Sequence, residues 1–165
     1  MTATPALYTM GICLLAGTMT VGATRSASWF EARTTGAKAL TLSGAAQFGR
    51  VAGDGEASAF VITLGAESPT GAVLFTRYGG ERPTPGVYRL GEDTAAVHAM
   101  VVTGAPARPT GAFRAITGRL TVTHSVGDVI AGHFELDAVG YNATETTEEE
   151  RPLSAEGTFT ATAGR

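Results

Sequence analysis

The stretch Ile130-Ala131-Gly132-His133-Phe134-Glu135-Leu136-Asp137-Ala138 decides the fold, because its side chains alternate between apolar and polar. Successive side chains of an extended chain point to opposite faces of a sheet. One face would carry Ile130, Phe134, Leu136 and Ala138, and the other Ala131, His133, Glu135 and Asp137. A glycine inside such a strand indicates a bulge or a bend, which we expect at Gly132. The stretch therefore predicts a strand that is buried on one face and solvated on the other.

Similar short runs occur at regular spacing on both sides of this stretch, separated by glycine, proline, aspartate and serine. We predict strands at 39–43, 45–52, 57–65, 71–78, 86–90, 96–103, 112–116, 118–124, 128–138 and 154–162. The last two would pair antiparallel across the loop 140–152. Short strands at such spacing favour a mainly β fold class, an antiparallel β-sandwich or small barrel, which we place at residues 39–165.

The chain begins with 24 residues that carry no charged side chain. A helix from Pro5 to Ala27 would be about 34 Å long at ~1.5 Å per residue, enough to cross a hydrocarbon core of about 30 Å. Thr4 suits the N-cap position and Pro5 the first helical position. We therefore predict one N-terminal transmembrane helix, an anchor at residues 1–28, followed by a polar connector at 29–38.

Two interpretations of the N-terminal segment remain open. Val21-Gly22-Ala23 fits a signal-peptide cleavage site, but the basic region that usually opens a signal peptide is missing. A retained helix would have small side chains that allow close approach to another helix, at Gly11, Gly17 and Thr20. It would also have aromatic residues near both membrane interfaces, Tyr8 and Trp29. We take the retained anchor as our prediction, with the lipid bilayer and other membrane protein subunits as its partners.

Two signals disagree about the side of the membrane on which the β-domain lies. Arg25, Arg33 and Lys38 follow the span and no basic residue precedes it, which by the positive-inside rule places the domain in the cytoplasm. A glycine- and threonine-rich β-domain behind a leader ending in Val-Gly-Ala is instead typical of an exported protein. We predict a single-pass protein of the cell inner membrane with its β-domain on the periplasmic side.

Composition excludes several classes of function. The formal net charge is −3, with 12 basic and 15 acidic residues, and the basic residues form no patch interleaved with aromatic ones. This distribution argues against a nucleic-acid partner. The single cysteine, Cys13, lies inside the predicted span, so no disulfide can form within the chain.

The sequence contains no nucleophile elbow, P-loop or dinucleotide-binding fingerprint. His133-x-Glu135-x-Asp137 is the one set of metal-ligating residue types that would share a strand face. An ordinary solvated strand face explains the same pattern, and we favour that explanation. Asn142-Ala143-Thr144 matches a glycosylation sequon. We therefore predict no catalytic residue, no metal site and no cofactor, and we expect that the protein is not an enzyme.

The most distinctive polar and aromatic stretch is Arg77-Tyr78 followed by 82–89. Tyrosine and arginine are frequent anchors of protein interfaces, so the stretch could be a docking loop. It could equally be a proline-stiffened connection between two strands. We name Arg77, Tyr78, Arg82 and Tyr88 as candidate partner contacts, together with Trp29 and the small residues of the span.

Three runs, at 118–123, 130–136 and 157–162, resemble the C-terminal part of small exported bacterial β-domains of unassigned function. The predicted architecture also resembles an extrinsic accessory subunit of a bacterial photosynthetic reaction centre–light-harvesting complex. Residues 1–30 contain no histidine that could ligate a pigment, so this resemblance implies bracing of the assembly rather than light capture. The first hypothesis is thus a non-catalytic, membrane-anchored accessory subunit of a membrane protein complex. The alternative is an exported β-module that binds a small apolar ligand or lipid in its interior.

Overall fold

The computed structural model describes residues 27–52, 58–92, 97–143 and 149–164. These residues form ten strands, numbered in chain order. The strands are β1 Trp29–Gly36, β2 Leu40–Gly44, β3 Ala46–Ala52, β4 Ser58–Leu64, β5 Gly71–Tyr78, β6 Gly86–Leu90, β7 His98–Thr103, β8 Gly111–Val126, β9 Val129–Asn142 and β10 Arg151–Ala163. The protein is mainly β, as predicted, and its pairing is consistent with a sandwich or a barrel.

Seven strands close into a hydrogen-bonded ring. Around the ring, β10 pairs with β3, followed by β4, β5, β7, β8 and β9, and β9 pairs with β10 again. All of these pairs are antiparallel except β10 with β3. The remaining strands extend the ring: β1 and β2 continue outward from β10, and β6 lies along the second half of β8. One face of the sheet therefore lines the interior of the ring, and the other face points outward.

The predicted antiparallel pairing of the last two strands is confirmed: β9 and β10 pair over twelve residues, from Arg151 opposite Gly140 to Thr162 opposite Val129. The predicted strands 112–116 and 118–124 are one continuous strand, β8. Its pairing with β9 shifts by one residue at Ile116 and again at Thr123. The second shift lies opposite Gly132, where the sequence indicated a bulge, but the extra residue belongs to the neighbouring strand.

The ring is filled by aromatic side chains. Phe75 lies at the centre, with its ring centroid 5.2 Å from that of Phe134 and 6.4 Å from that of Phe159. Phe30 and Phe113 are equally buried, and aliphatic side chains fill the space around these rings. The apolar face predicted for β9 lines this core, because Ile130, Phe134, Leu136 and Ala138 are all buried.

The connector predicted at 29–38 is not a connector, because β1 occupies Trp29–Gly36 and pairs with β10 and β2. The β-domain therefore begins before residue 39. Alternate residues of β1 are buried, namely Phe30, Ala32 and Thr34. Two of these three inward side chains are small or polar, so the alternation that marks a strand is weak in the sequence. The Thr34 hydroxyl donates to the Lys38 carbonyl at 2.7 Å, which satisfies it inside the fold.

Among the residues that the structure describes, no helix is long and apolar enough to cross a membrane. The predicted anchor lies outside these residues up to position 26, as do its candidate contacts Tyr8, Gly11, Gly17 and Thr20. The anchor therefore stays a prediction from the sequence.

Candidate interaction surfaces

The outward face of β1, β10, β9 and β8 is polar and carries side chains in cross-strand rows. The central row runs Arg33, Glu156, Glu135, Arg119, each directly opposite the next on the neighbouring strand. Two shallow depressions of about 620 and 490 Å³ lie on either side of this row and share Arg33, Glu135 and Glu156. The row has a guanidinium group at each end and two carboxylates between them, so the face is a solvated surface of mixed charge.

The face-sharing set His133, Glu135 and Asp137 lies on this polar face, as the alternation predicted. Its two carboxylates contact side chains of the neighbouring strands. Glu135 forms an ion pair with Arg119 at 2.9 Å, and Asp137 accepts a hydrogen bond from the Ser154 hydroxyl at 2.7 Å. Within the described ranges, no three histidine, cysteine or acidic side chains are grouped so that they could hold a metal ion. These contacts between neighbouring strands are those of an ordinary solvated strand face.

In a regular strand His124 would share the buried face of Leu120 and Val122, but the structure places it outward. Thr123 is the extra residue of the second bulge in β8, so the alternation of side chains reverses after it. His124 is consequently exposed.

Arg82, a candidate partner contact, is used inside the fold. Its guanidinium donates to the Ser125 hydroxyl at 2.9 Å and to the carbonyls of Val129 and Gly127. It also lies 4.9 Å from the ring centroid of Phe48, within the range of a cation–π contact. Arg82 thus ties the β5–β6 connection to the turn between β8 and β9, which is the structural role left open by the sequence.

Arg77 and Tyr88 also contact their own chain. Arg77 pairs with Glu81 at 3.3 Å, and its guanidinium carbon lies 5.7 Å from the ring centroid of Tyr88. The Tyr88 hydroxyl donates to the carbonyl of Thr84 at 2.7 Å. The proline-containing connection is therefore braced from both ends by candidate contact residues.

Tyr78 is the member of this stretch that remains open to a partner, with 68% of its surface exposed. Its ring meets the His98 ring edge-on, with centroids 5.2 Å apart. Together with Leu74 and Met100 these rings line a groove of about 310 Å³ on the outward face of β5, β7 and β8, which we call the Met100 groove. Met100 is 44% exposed, so the groove presents an aromatic ring and a thioether to solvent.

An arginine with two ion pairs forms one rim of the Met100 groove. Arg114 on β8 pairs with Glu92, which follows β6, and with Glu150, which precedes β10. The hydrogen bonds that Arg114 donates to Glu150, and then to Glu92, hold the pKa of its guanidinium above the usual value. Met100, His98 and Arg114 were not predicted as contact residues, because β7 and β8 carry no motif and the groove depends on how β5, β7 and β8 pair.

The interior is closely packed among the described residues. The cavity lined by Phe60, Phe75, Val97 and Leu120 measures about 10 Å³, which is the space of a single water molecule. Aromatic rings occupy the volume that an interior ligand would need, so this packing argues against the alternative of an apolar ligand inside the ring.

The asparagine of the glycosylation sequon, Asn142, is buried in the fold. Asn142 is 7% exposed and pairs with Gly111 across β9 and β8. A glycan must be attached to an accessible side-chain amide, so the folded domain does not offer Asn142 as an acceptor.

Comparison with protein-family models, curated proteins and solved structures finds no match for this chain.

Proposed function

We propose that the protein is a non-catalytic, membrane-anchored accessory subunit whose β-domain binds a partner protein of a membrane complex through the Met100 groove. The anchor in this proposal is the N-terminal helix predicted from the uncharged segment at 1–24. A photosynthetic reaction centre–light-harvesting assembly is a candidate complex on the strength of the resemblance in architecture. In such an assembly the domain would brace neighbouring subunits.

The observation that carries this proposal is the composition of the Met100 groove. Interface cores are enriched in tyrosine, methionine and arginine and have a polar rim. The groove combines Tyr78, Met100 and Leu74 with a rim of Arg114 and Glu92. Methionine adapts its shape to a partner, and tyrosine offers a large apolar surface with a polar hydroxyl. The groove therefore suits an apolar side chain of a partner protein that is flanked by polar groups.

The alternative function, an exported module with a small apolar ligand in its interior, has less support. The core of the ring is filled by Phe75, Phe134 and Phe159. Opening a cavity of ligand size would require several of these rings to move. A shallow groove on the outer surface matches a protein side chain better than a small molecule, because small-molecule sites bury most of the ligand surface.

The proposal is tested by isolating the full chain from its native membranes in mild detergent through a C-terminal tag. We expect a species that contains at least one other polypeptide at a fixed ratio. The variant Met100→Glu places a charge in the groove, and we expect it to lower the yield of that polypeptide at least tenfold, because moving a carboxylate out of water into an interface costs more than the about 1.4 kcal/mol that corresponds to a tenfold change.

Thr158→Glu is the matched control, since it adds the same charge on the exposed polar face of β10. We expect this variant to retain the partner. Isolation of the wild-type chain as a lone monomer, or equal loss of the partner in both variants, would count against the proposal.

A further inference from the structure

The ring of strands has two open ends, which we call rims. The chain enters the β-domain at one of these rims. Strand β1 runs antiparallel to β10, so it begins where β10 ends. Strands β3, β5 and β8 also end at this rim, and β6, which is antiparallel to β8, begins there. We call this end the N-terminal rim, because the chain reaches it directly from the uncharged segment.

Exposed large apolar side chains concentrate at the N-terminal rim. Five of the eight described residues of this kind occupy the first or last two positions of strands that begin or end there. They are Trp29, Val51, Tyr78, Val87 and Val126. The opposite rim has one, Tyr141, near the end of β9. Val126 closes β8 at a hairpin tip and is 66% exposed, where a polar residue would serve a solvated turn better.

The chain is fastened at this rim immediately before β1. The Ser28 hydroxyl accepts from the backbone amide of Ala46 at 2.7 Å and also contacts the Ala46 carbonyl. The helix predicted for the anchor ends at Ala27, one residue earlier. Because a residue spans at most about 3.6 Å of extended chain, so short a link would hold the N-terminal rim close to the membrane surface.

We infer that the N-terminal rim rests on the lipid bilayer, with Trp29, Val51 and Val126 at the level of the headgroups. The inference rests on the anchor in the proposed function and adds the orientation of the β-domain. Tryptophan prefers the membrane interface, and apolar side chains beside a membrane surface gain by leaving water. Arg50 and Asp128 are exposed at the same rim, so contact is confined to the headgroup region. Tyr78 lies where this rim meets the Met100 groove, which opens the groove toward a membrane-embedded partner.

Tryptophan fluorescence tests this orientation, because Trp29 is the only tryptophan of the chain. The full chain is placed in nanodiscs of phosphatidylcholine and phosphatidylglycerol, with and without lipids brominated in the acyl chain near the headgroup. Trp29→Phe combined with Val126→Trp moves the reporter to the hairpin tip. Trp29→Phe combined with Tyr141→Trp moves it to the opposite rim, and Val51→Trp in the same background gives a second reporter at the N-terminal rim.

We expect brominated lipid to remove roughly half of the emission at positions 126 and 51, since interfacial groups sit about 5–10 Å into the boundary of the acyl chains. Emission at position 141 should stay unchanged. If Trp29 of the wild type is quenched while positions 126 and 51 are as bright as position 141, the orientation is wrong and the anchor stands. Equal quenching at both rims also overturns the orientation. If Trp29 is unquenched and the chain does not enter the nanodiscs, the anchor of the proposed function fails with it.

Discussion

At the scale of single residues, Arg82 shows how one side chain can serve the fold when its residue type suggests a partner contact. An arginine that precedes two prolines in an exposed-looking stretch is a reasonable interface anchor on residue type alone. In the fold its guanidinium meets Ser125, Gly127, Val129 and the Phe48 ring. Four groups, from β3, β8, β9 and the turn between β8 and β9, contact it, so its main effect should be on stability.

Arg82→Ala is expected to lower the free energy of unfolding by about 1–3 kcal/mol, because it removes charge-assisted hydrogen bonds to the partly buried Ser125 hydroxyl and Val129 carbonyl. Urea unfolding of the purified protein, followed by circular dichroism, measures the change. Arg89→Ala is the control, because Arg89 is an exposed arginine on β6 and its loss should change stability by no more than ~0.5 kcal/mol. Equal effects of the two substitutions would show that Arg82 is not a clamp.

At the scale of strands and hairpins, the β8–β9 hairpin shapes the ring, and glycine permits its closest contact. A Cβ at Gly132 would collide with the backbone carbonyl of Thr121 on β8. The residue lies opposite Val122, next to the bulge at Thr123. Bulges bend a strand and increase its twist, and curvature of this kind is what allows seven strands to close.

Gly132→Ala should therefore destabilise the protein by about 1–3 kcal/mol, since the obstructing atom is backbone and cannot move aside freely. Gly49→Ala on β3 is the matched substitution, because a Cβ there meets nothing within 4 Å. It should leave stability unchanged to within ~0.5 kcal/mol or raise it slightly. Thermal unfolding of the two variants side by side distinguishes them, and equal melting temperatures would contradict this account of Gly132.

The sequence predicted strands well where apolar and polar residues alternate and poorly where small residues face the core. The predicted bounds 71–78 and 86–90 are those of β5 and β6. Strand β1 was missed because its inward residues include Ala32 and Thr34, which give little hydrophobic contrast. The bulges in β8 could not be located either, because a bulge depends on the partner strand as much as on its own residues.

At the scale of the whole molecule, the closed ring determines which residues meet. Met100 on β7 faces Arg114 on β8, and Arg114 reaches Glu150 before β10. Met100 and Arg114 lie on consecutive strands, but Glu150 is 36 residues from Arg114, so no sequence motif places all three together. Of the candidate contacts predicted from sequence and described in the structure, Tyr78 and Trp29 remain exposed, whereas Arg77, Arg82 and Tyr88 contact their own chain. The candidate site was therefore predictable only in part.

The filled interior and the exposed groove support the proposal that a partner protein binds to the outer surface of the ring. The central claim is that the Met100 groove contacts another protein in the native membrane. Its most direct measurement is photo-crosslinking from a benzoylphenylalanine placed at position 100 of the full chain, in native membranes, with the same group at position 158 as the control. We predict a single discrete crosslinked product from position 100 that is missing from position 158. No product from position 100, or the same products from both positions, would contradict the claim.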